Sequence, residues 1–323
     1  GRASEVQSIG FIEAPPIHSL VQQARFSFGR MAAAAAAVNG TWARMPTWPD
    51  NLNPHNPDDA WGKLSVKRDV HRSEPIEYTC EQPPNTLRLV CVSDTHAQIE
   101  GRDIQLPKGD VLVHGGDFTN VGEVTQCDKF ADWIEAQPFK HKVVIAGNHD
   151  LSFDPSSYPE TRMTIARGRL PEECPAARLK ERLSSVCHYL EDSAVDIEGV
   201  TFYGSPWTPT FCNWGFNADR GETIAKMWKK IPDSTDVLVT HGPPIGYGDA
   251  CSGGNRAGCV DLLREIEGRV RPQAHIFGHI HEGYGLWESP ECPTKFVNAS
   301  TCTLRYKPDH PAIVVDILKV PKV

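Results

Sequence analysis

From residue 87 onward the chain is punctuated by five short apolar runs, each breaking abruptly into a polar turn that carries Asp, Asn or His. Leu87 to Val92 runs into Ser93-Asp94-Thr95-His96, Asp110 to His114 into Gly115-Gly116-Asp117, and Lys142 to Ala146 into Gly147-Asn148-His149-Asp150. Val237 to Thr240 runs into His241-Gly242-Pro243-Pro244, and Ala274 to Phe277 into Gly278-His279-Ile280-His281. Apolar runs of this length, rich in β-branched residues and bounded by turn signals, predict buried strands. The polar stretches between them, such as Cys259 to Val270, carry mixed faces that suit helices. Alternation of the two predicts an α/β fold.

The texture changes upstream of residue 85. Arg44 to Pro84 is rich in Pro, Asn, Asp and Trp and shows neither helical nor strand period. Residues 1–84 are therefore expected to form an irregular or partly disordered arm, and residues 85–323 the folded domain. Met31, followed by Ala32 to Ala37, reads as a translation start, and six alanines make a poor apolar core for a signal peptide.

At 323 residues the chain suffices for one large α/β domain or two small ones. Its formal net charge of -8 argues against long nucleic acids as partners, because phosphate-backbone binders need clustered Lys and Arg. Ten cysteines are scattered without a C-x-x-C pair, which suits a reduced intracellular, cytoplasmic protein. No stretch approaches the roughly 20 apolar residues that span a bilayer. Sequons at Asn39 and Asn298 carry little weight without a secretory signal.

Open α/β sheets place ligands beyond the carboxyl ends of their strands. Five such ends would bring together Asp94, His96, Asp117, Asn148, His241, His279 and His281. Carboxylate, imidazole and amide oxygen suit Mn²⁺, Fe²⁺ or Zn²⁺, and no thiolate is among them. On extended chain, Asp94 with His96 and His279 with His281 would share a face, since strand side chains alternate with period two. Seven ligands exceed the needs of one catalytic ion but fit two that share a bridging carboxylate, for which Asp117 is the choice. Taken singly, each motif passes for an ordinary turn, and His114, His141, His188 and His275 read as packing or surface residues. The joint occurrence carries the signal.

D-x-H, G-G-D, G-N-H-D, T-H-G-P-P and G-H-I-H, in this order over residues 87 to 316, resemble the calcineurin-like metallophosphoesterase superfamily. The segments Tyr203-Gly204-Ser205-Pro206-Trp207, Trp214-Gly215-Phe216-Asn217 and Phe277 to Gly285 are similar to its metallophosphoesterase-domain-containing branch in animals. The resemblance implies a four-layer αββα sandwich of two mixed sheets flanked by helices. It implies Asp94, His96, Asp117 and His281 around one metal, and Asp117, Asn148, His241 and His279 around the other. It further implies hydrolysis of phosphodiesters, including 2′,3′-cyclic nucleotides, with Mn²⁺ favoured. Gly116-Asp117-Phe118-Thr119-Asn120 lacks the Arg that protein phosphatases of the superfamily carry soon after this Asp.

Two adjacent divalent ions would make hydroxide available near neutral pH for in-line attack on phosphorus. His149 is the candidate general acid for the leaving alkoxide, with Asp150 orienting its ring. Trp207, Phe211, Trp214 and Phe216 suggest nucleobase stacking, against the plainer alternative of core packing. Ile245 to Gly258 suggests a lid with Arg256 as a phosphate clamp, or simply a connection to the following helix. Two other readings stay open: a metal-binding scaffold with vestigial catalysis, and a phosphomonoesterase. Purple-type acid phosphatases of the latter class carry a Tyr beside the bridging Asp, where this chain has Gly116 and Phe118.

Overall fold

Strand β2 (Thr86–Val92) shows why the chain builds layers. Leu87, Leu89 and Cys91 face one apolar cluster and Val90 and Val92 another, because successive strand side chains point to opposite faces. With both faces buried, the strand must lie between a second sheet and a layer of helices. The computed structural model, which describes residues 47–76, 79–99, 104 and 106–319, has that arrangement.

One sheet has five strands, ordered β14 (Ile313–Leu318), β2, β3 (Val111–His114), β4 (His141–Val144), β5 (His188–Tyr189). Strands β2 to β5 are parallel and β14 is antiparallel to β2. Apart from a short parallel pair, β8 (Thr208–Pro209) and β9 (Asn217–Ala218), the remaining described strands form a second sheet of seven, ordered β1 (His71–Ser73), β12 (Gly285–Ser289), β13 (Cys292–Asn298), β11 (Ala274–Phe277), β10 (Val237–Thr240), β7 (Val200–Ser205), β6 (Ser193–Ile197). Its four central strands are parallel and its flanking pairs antiparallel. Leu89, Val113 and Ile145 meet Phe202, Val239 and Ile276 between the sheets. Outside the five-stranded sheet, α2 (Val124–Ala136) and α4 (Ala176–Ser184) bury Phe130, Ile134, Leu179 and Leu183. Outside the seven-stranded one, α1 (Pro57–Leu64), α5 (Glu222–Trp228) and α6 (Val260–Glu265) bury Leu64, Trp228, Leu262 and Leu263. The short helix α3 (Tyr158–Thr164) anchors a satellite cluster through Tyr158. This is the four-layer αββα sandwich the sequence implied.

The boundary at residue 85 needs correction. Asn56 caps α1 by accepting from the Asp59 N–H at 3.1 Å, with Pro57 opening the helix, a pairing suited to a helix start. Strand β1 extends the seven-stranded sheet by pairing with β12. Arg68 forms a two-pronged ion pair with Glu267 at 2.6 and 3.0 Å, both side chains 1% exposed. At least from residue 47, the supposed arm is part of the domain. The readings of Met31, the alanine run and Asn39 fall outside the described residues. Asn298 is buried, and its side-chain amide donates to the carbonyls of Gly248 and Ile280. All ten cysteines are free thiols. No helix among the described residues is long and apolar enough to cross a membrane.

Candidate metal centre

Each expected strand end delivers its polar residues to one end of the sandwich, but from two sheets. Asp94, His96, Asp117 and Asn148 follow β2, β3 and β4 of the five-stranded sheet, and His241, His279 and His281 follow β10 and β11 of the seven-stranded one. The chain achieves this by leaving extended geometry at once. Asp94 (φ 51°), His96 (φ 43°), Asp117 (φ 55°) and His279 (φ 68°) all adopt the left-handed region, which side-chain-bearing residues enter at a cost and which clusters at functional sites. These residues lie past the strands, so strand period two is not what pairs them: Asp94 and His96 do share a group, but through left-handed turns. His279 and His281 fall into different groups.

One group comprises Asp94, His96 and His281, a second Asp117, His241 and His279, and a third links His96, Asp117 and His149. Asp117 thus sits in the middle. Its Oδ1 accepts from the His149 backbone N–H at 2.7 Å. Its Oδ2 lies 3.2 Å from His241 Nε2 and 4.0 Å from the Nε2 atoms of both His96 and His149. Asn148 Oδ1 is 2.9 Å from His241 Nε2, and Asp94 Oδ1 is 3.4 Å from His281 Nε2.

Tautomers follow from the remaining ring atoms. His241 Nδ1 donates to the Gly115 carbonyl at 2.9 Å, and His281 Nδ1 to that of Thr303 at 3.1 Å. In each neutral ring this leaves the Nε2 lone pair aimed into the cluster, the arrangement by which backbone carbonyls orient metal-ligating histidines. Burial pushes His96 and His279 down to about 3, keeping their rings neutral. Burial also opposes charge on His241, but Asp117 outweighs it and raises this ring to about 9. Burial disfavours the carboxylates of Asp94 and Asp117 too, yet the surrounding imidazoles hold both well below the usual range. Buried anions with imidazole Nε2 atoms converging on them fit divalent cations, which would replace the protons that Asp117 and Asp94 draw onto His241 and His281. Backbone clearance is just as tight: a Cβ at Gly147 would lie 2.3 Å from Asp117 Oδ1, and one at Gly278 1.9 Å from Asp94 Oδ2.

The other expectations fare differently. Asp150 does not orient His149. Its carboxylate accepts from the backbone N–H groups of Asp117, Gly147 and Thr119 and from the Thr119 hydroxyl, at 2.8 to 2.9 Å, and so staples the β3 and β4 turns together. The group that orients His149 is the Asn120 carbonyl, 2.7 Å from Nδ1. Trp214 reaches the centre, but stacked on the His149 ring at 4.0 Å. Trp207 donates its indole N–H to Asp192 at 3.1 Å and packs into both outer cores, Phe216 is buried, and Phe211 is exposed. Arg256 pairs with Asp249 at 2.6 Å and lies over the Trp61 ring. The supposed lid begins with Ile245 to Asp249 buried against α1, where a Cβ at Gly246 would meet Trp61 at 2.0 Å. Those contacts commit Ile245 to Asp249 to the body of the fold, and Ser252 to Asn255 remain exposed.

Sequence reading missed three supports. Ser300 donates its hydroxyl to Asp94 Oδ2 at 3.0 Å, Asn298 tethers the turn that carries His279 and His281, and Tyr306 lies 4.8 Å from the His96 ring, centre to centre. Phe296-Val297-Asn298-Ala299-Ser300 has the same texture as the five motifs, an apolar run breaking into polar residues, and was the available signal.

A four-layer sandwich with Asp, His and Asn converging at its strand ends defines a metal-dependent phosphoesterase architecture. The chain belongs to the calcineurin-like phosphoesterase family, whose model matches residues 87–283. Members typically bind two divalent metal ions, and hydrolysis of phosphoric esters is the activity the family implies. The chain is 42% identical to human Metallophosphoesterase domain-containing protein 1 over 256 residues, covering 77% of this chain and 76% of that protein. It is also 36% and 37% identical to two UPF0046 proteins of Caenorhabditis elegans, covering 81% of this chain in each case and 68% and 92% of theirs.

Proposed function

We propose that the protein hydrolyses phosphodiesters, with 2′,3′-cyclic nucleotides as the leading substrate class and Mn²⁺ as the favoured ion. The observation that carries this reading is the convergence on Asp117 of imidazole, carboxylate and amide groups from five strand ends. Asp94, His96, Asp117 and His281 would hold one ion, and Asp117, Asn148, His241 and His279 the other. When bound, the ions supply a hydroxide-level nucleophile near neutral pH and neutralise phosphoryl oxygens.

The protein's own part is positioning and proton delivery. Since His149 Nδ1 donates to Asn120, its protonated ring presents an Nε2–H toward the Asp117 side, where a leaving alkoxide would accept it. Trp214 stacking and the Asn120 carbonyl fix the ring plane. Phe118, Thr119 and Asn120, directly after Asp117, supply no cation. A singly charged diester needs a clamp there less than a doubly charged monoester does.

His149→Ala should keep its metal content by elemental analysis and lose ~10²–10⁴-fold in turnover of 2′,3′-cyclic AMP. Loss of metal from this variant would make His149 a ligand instead. The wild-type protein with Mn²⁺ should turn over diesters in preference to monoesters. Absence of activity on every ester, metals in place, would favour the scaffold reading.

A further inference from the structure

A depression of about 450 Å³ opens beside the metal centre, sharing only His281 with it. Its walls include Arg72, from strand β1, and Arg305 and Lys307, from the connection between β13 and β14. Among the described residues these three cations make no ion pair, although most other arginines of this acidic chain do. Glu282 and Asp309 also line the space. Glu282 is partly committed, since it accepts from the Ser252 N–H at 2.7 Å.

Arg72 is not a loosely placed surface residue. Its guanidinium lies over the Tyr284 ring at 5.8 Å, and its Nε occupies the space a Cβ on Gly285 would need, 2.4 Å away. Tyr284 in turn stacks on His310, another lining residue, with centres 4.2 Å apart. The main chain of the opposite wall is likewise fixed: Thr303 accepts from His281 Nδ1, and Thr303 and Lys307 bond across their turn at 2.8 Å. The cations thus flank a prepared concavity large enough for part of a small ligand.

We propose that this depression receives a second, terminal phosphate of the substrate, so that the preferred substrate is a diester that also carries a phosphomonoester, as a 5′-phosphorylated 2′,3′-cyclic nucleotide does. The inference rests on the phosphodiesterase reading of the adjacent centre. The reacting phosphorus belongs near Asp117 and His149, neither of which lines the depression, so its cations serve a group at a distance from the bond that breaks. Unpaired cations against a dianion give charge-assisted hydrogen bonds. A patch of that sign on a chain of net charge -8 also concentrates such ligands locally.

The test compares the two products that hydrolysis would leave, adenosine 3′-monophosphate and adenosine 3′,5′-bisphosphate, by calorimetry on the Mn²⁺-loaded protein. The bisphosphate should bind roughly tenfold more tightly, and the advantage should shrink with added salt. In the double variant Arg305→Glu and Lys307→Glu the ratio of the two affinities should fall to about one. Both side chains are exposed, and an unchanged melting curve checks that the fold is kept. Equal affinities in the wild type, a ratio that survives charge reversal, or no binding of either product overturns the proposal. Absence of cyclic-nucleotide turnover would count against the diesterase reading alone, because the binding ratio is measured without catalysis.

Discussion

Asp117→Asn should abolish most activity while leaving the fold intact. The amide keeps an Oδ1 acceptor for the His149 N–H and nearly the same volume, so the β3 and β4 turns have no reason to move. What disappears is the charge that Oδ2 places 3.2 Å from His241 and 4.0 Å from His96 and His149. Among the described residues no other carboxylate joins the two ligand groups, so affinity for both ions should drop together. Loss of one preorganised charge from such a site is worth ~10²–10³-fold in turnover, and loss of metal adds to it. Turnover with Mn²⁺ and the bound metal per chain, measured beside the circular dichroism spectrum, decide the matter. A variant that retained both metals and wild-type rates would show that Asp117 does not join the two ions.

The second large effect lies far from the metals. Arg68→Met should lower stability by ~3–5 kcal/mol, because it leaves Glu267 charged, buried and unpaired. For a domain of this size that is a fall of roughly 10 °C in melting temperature. Joint replacement by Arg68→Met and Glu267→Leu should recover much of the loss, since apolar packing often substitutes for a buried pair without cost. The pair couples the segment before β1 to the turn after α6, so the same experiment tests whether residues 47–73 belong to the domain. An unchanged melting temperature in the single variant would mean that they do not.

Much of this was legible because strand ends announce themselves. In Leu87 to Val92, Val237 to Thr240 and Ala274 to Phe277, a mainly apolar run ends in Asp or His within three residues, and the structure has a strand at each place. The ligand residues could be read because metal chemistry restricts their types. The routes by which they converge could not. Left-handed geometry at Asp94, His96, Asp117 and His279 is imposed by tertiary bonds such as Asp94 N–H to Gly116 C=O and His96 N–H to Asp117 C=O, which no local propensity encodes. Asp150 illustrates the same limit. Adjacency to His149 suggested that it served this ring, whereas its carboxylate bonds to backbone up to 33 residues away.

The N-terminal segment was misread for the opposite reason. Asn56-Pro57-Asp58-Asp59 carries a helix cap, a proline at the first helical position and acidic residues in the first turn. These start signals were hidden in a stretch whose Pro and Asn content reads as loop. Strand β1 has only three residues, too short to show a period. Arg256 was a candidate phosphate clamp because its segment follows a ligand in sequence, with a plain connection to the next helix as the alternative, and Asp249 and Trp61 hold it.

Two cations should sit one on either side of Asp117. Crystals grown with Mn²⁺ and measured near the manganese absorption edge would show this directly. Two anomalous peaks are expected, one beside Asp94, His96 and His281 and the other beside Asn148, His241 and His279, with Asp117 reaching both. A single peak, or peaks away from Asp117, would contradict this placement.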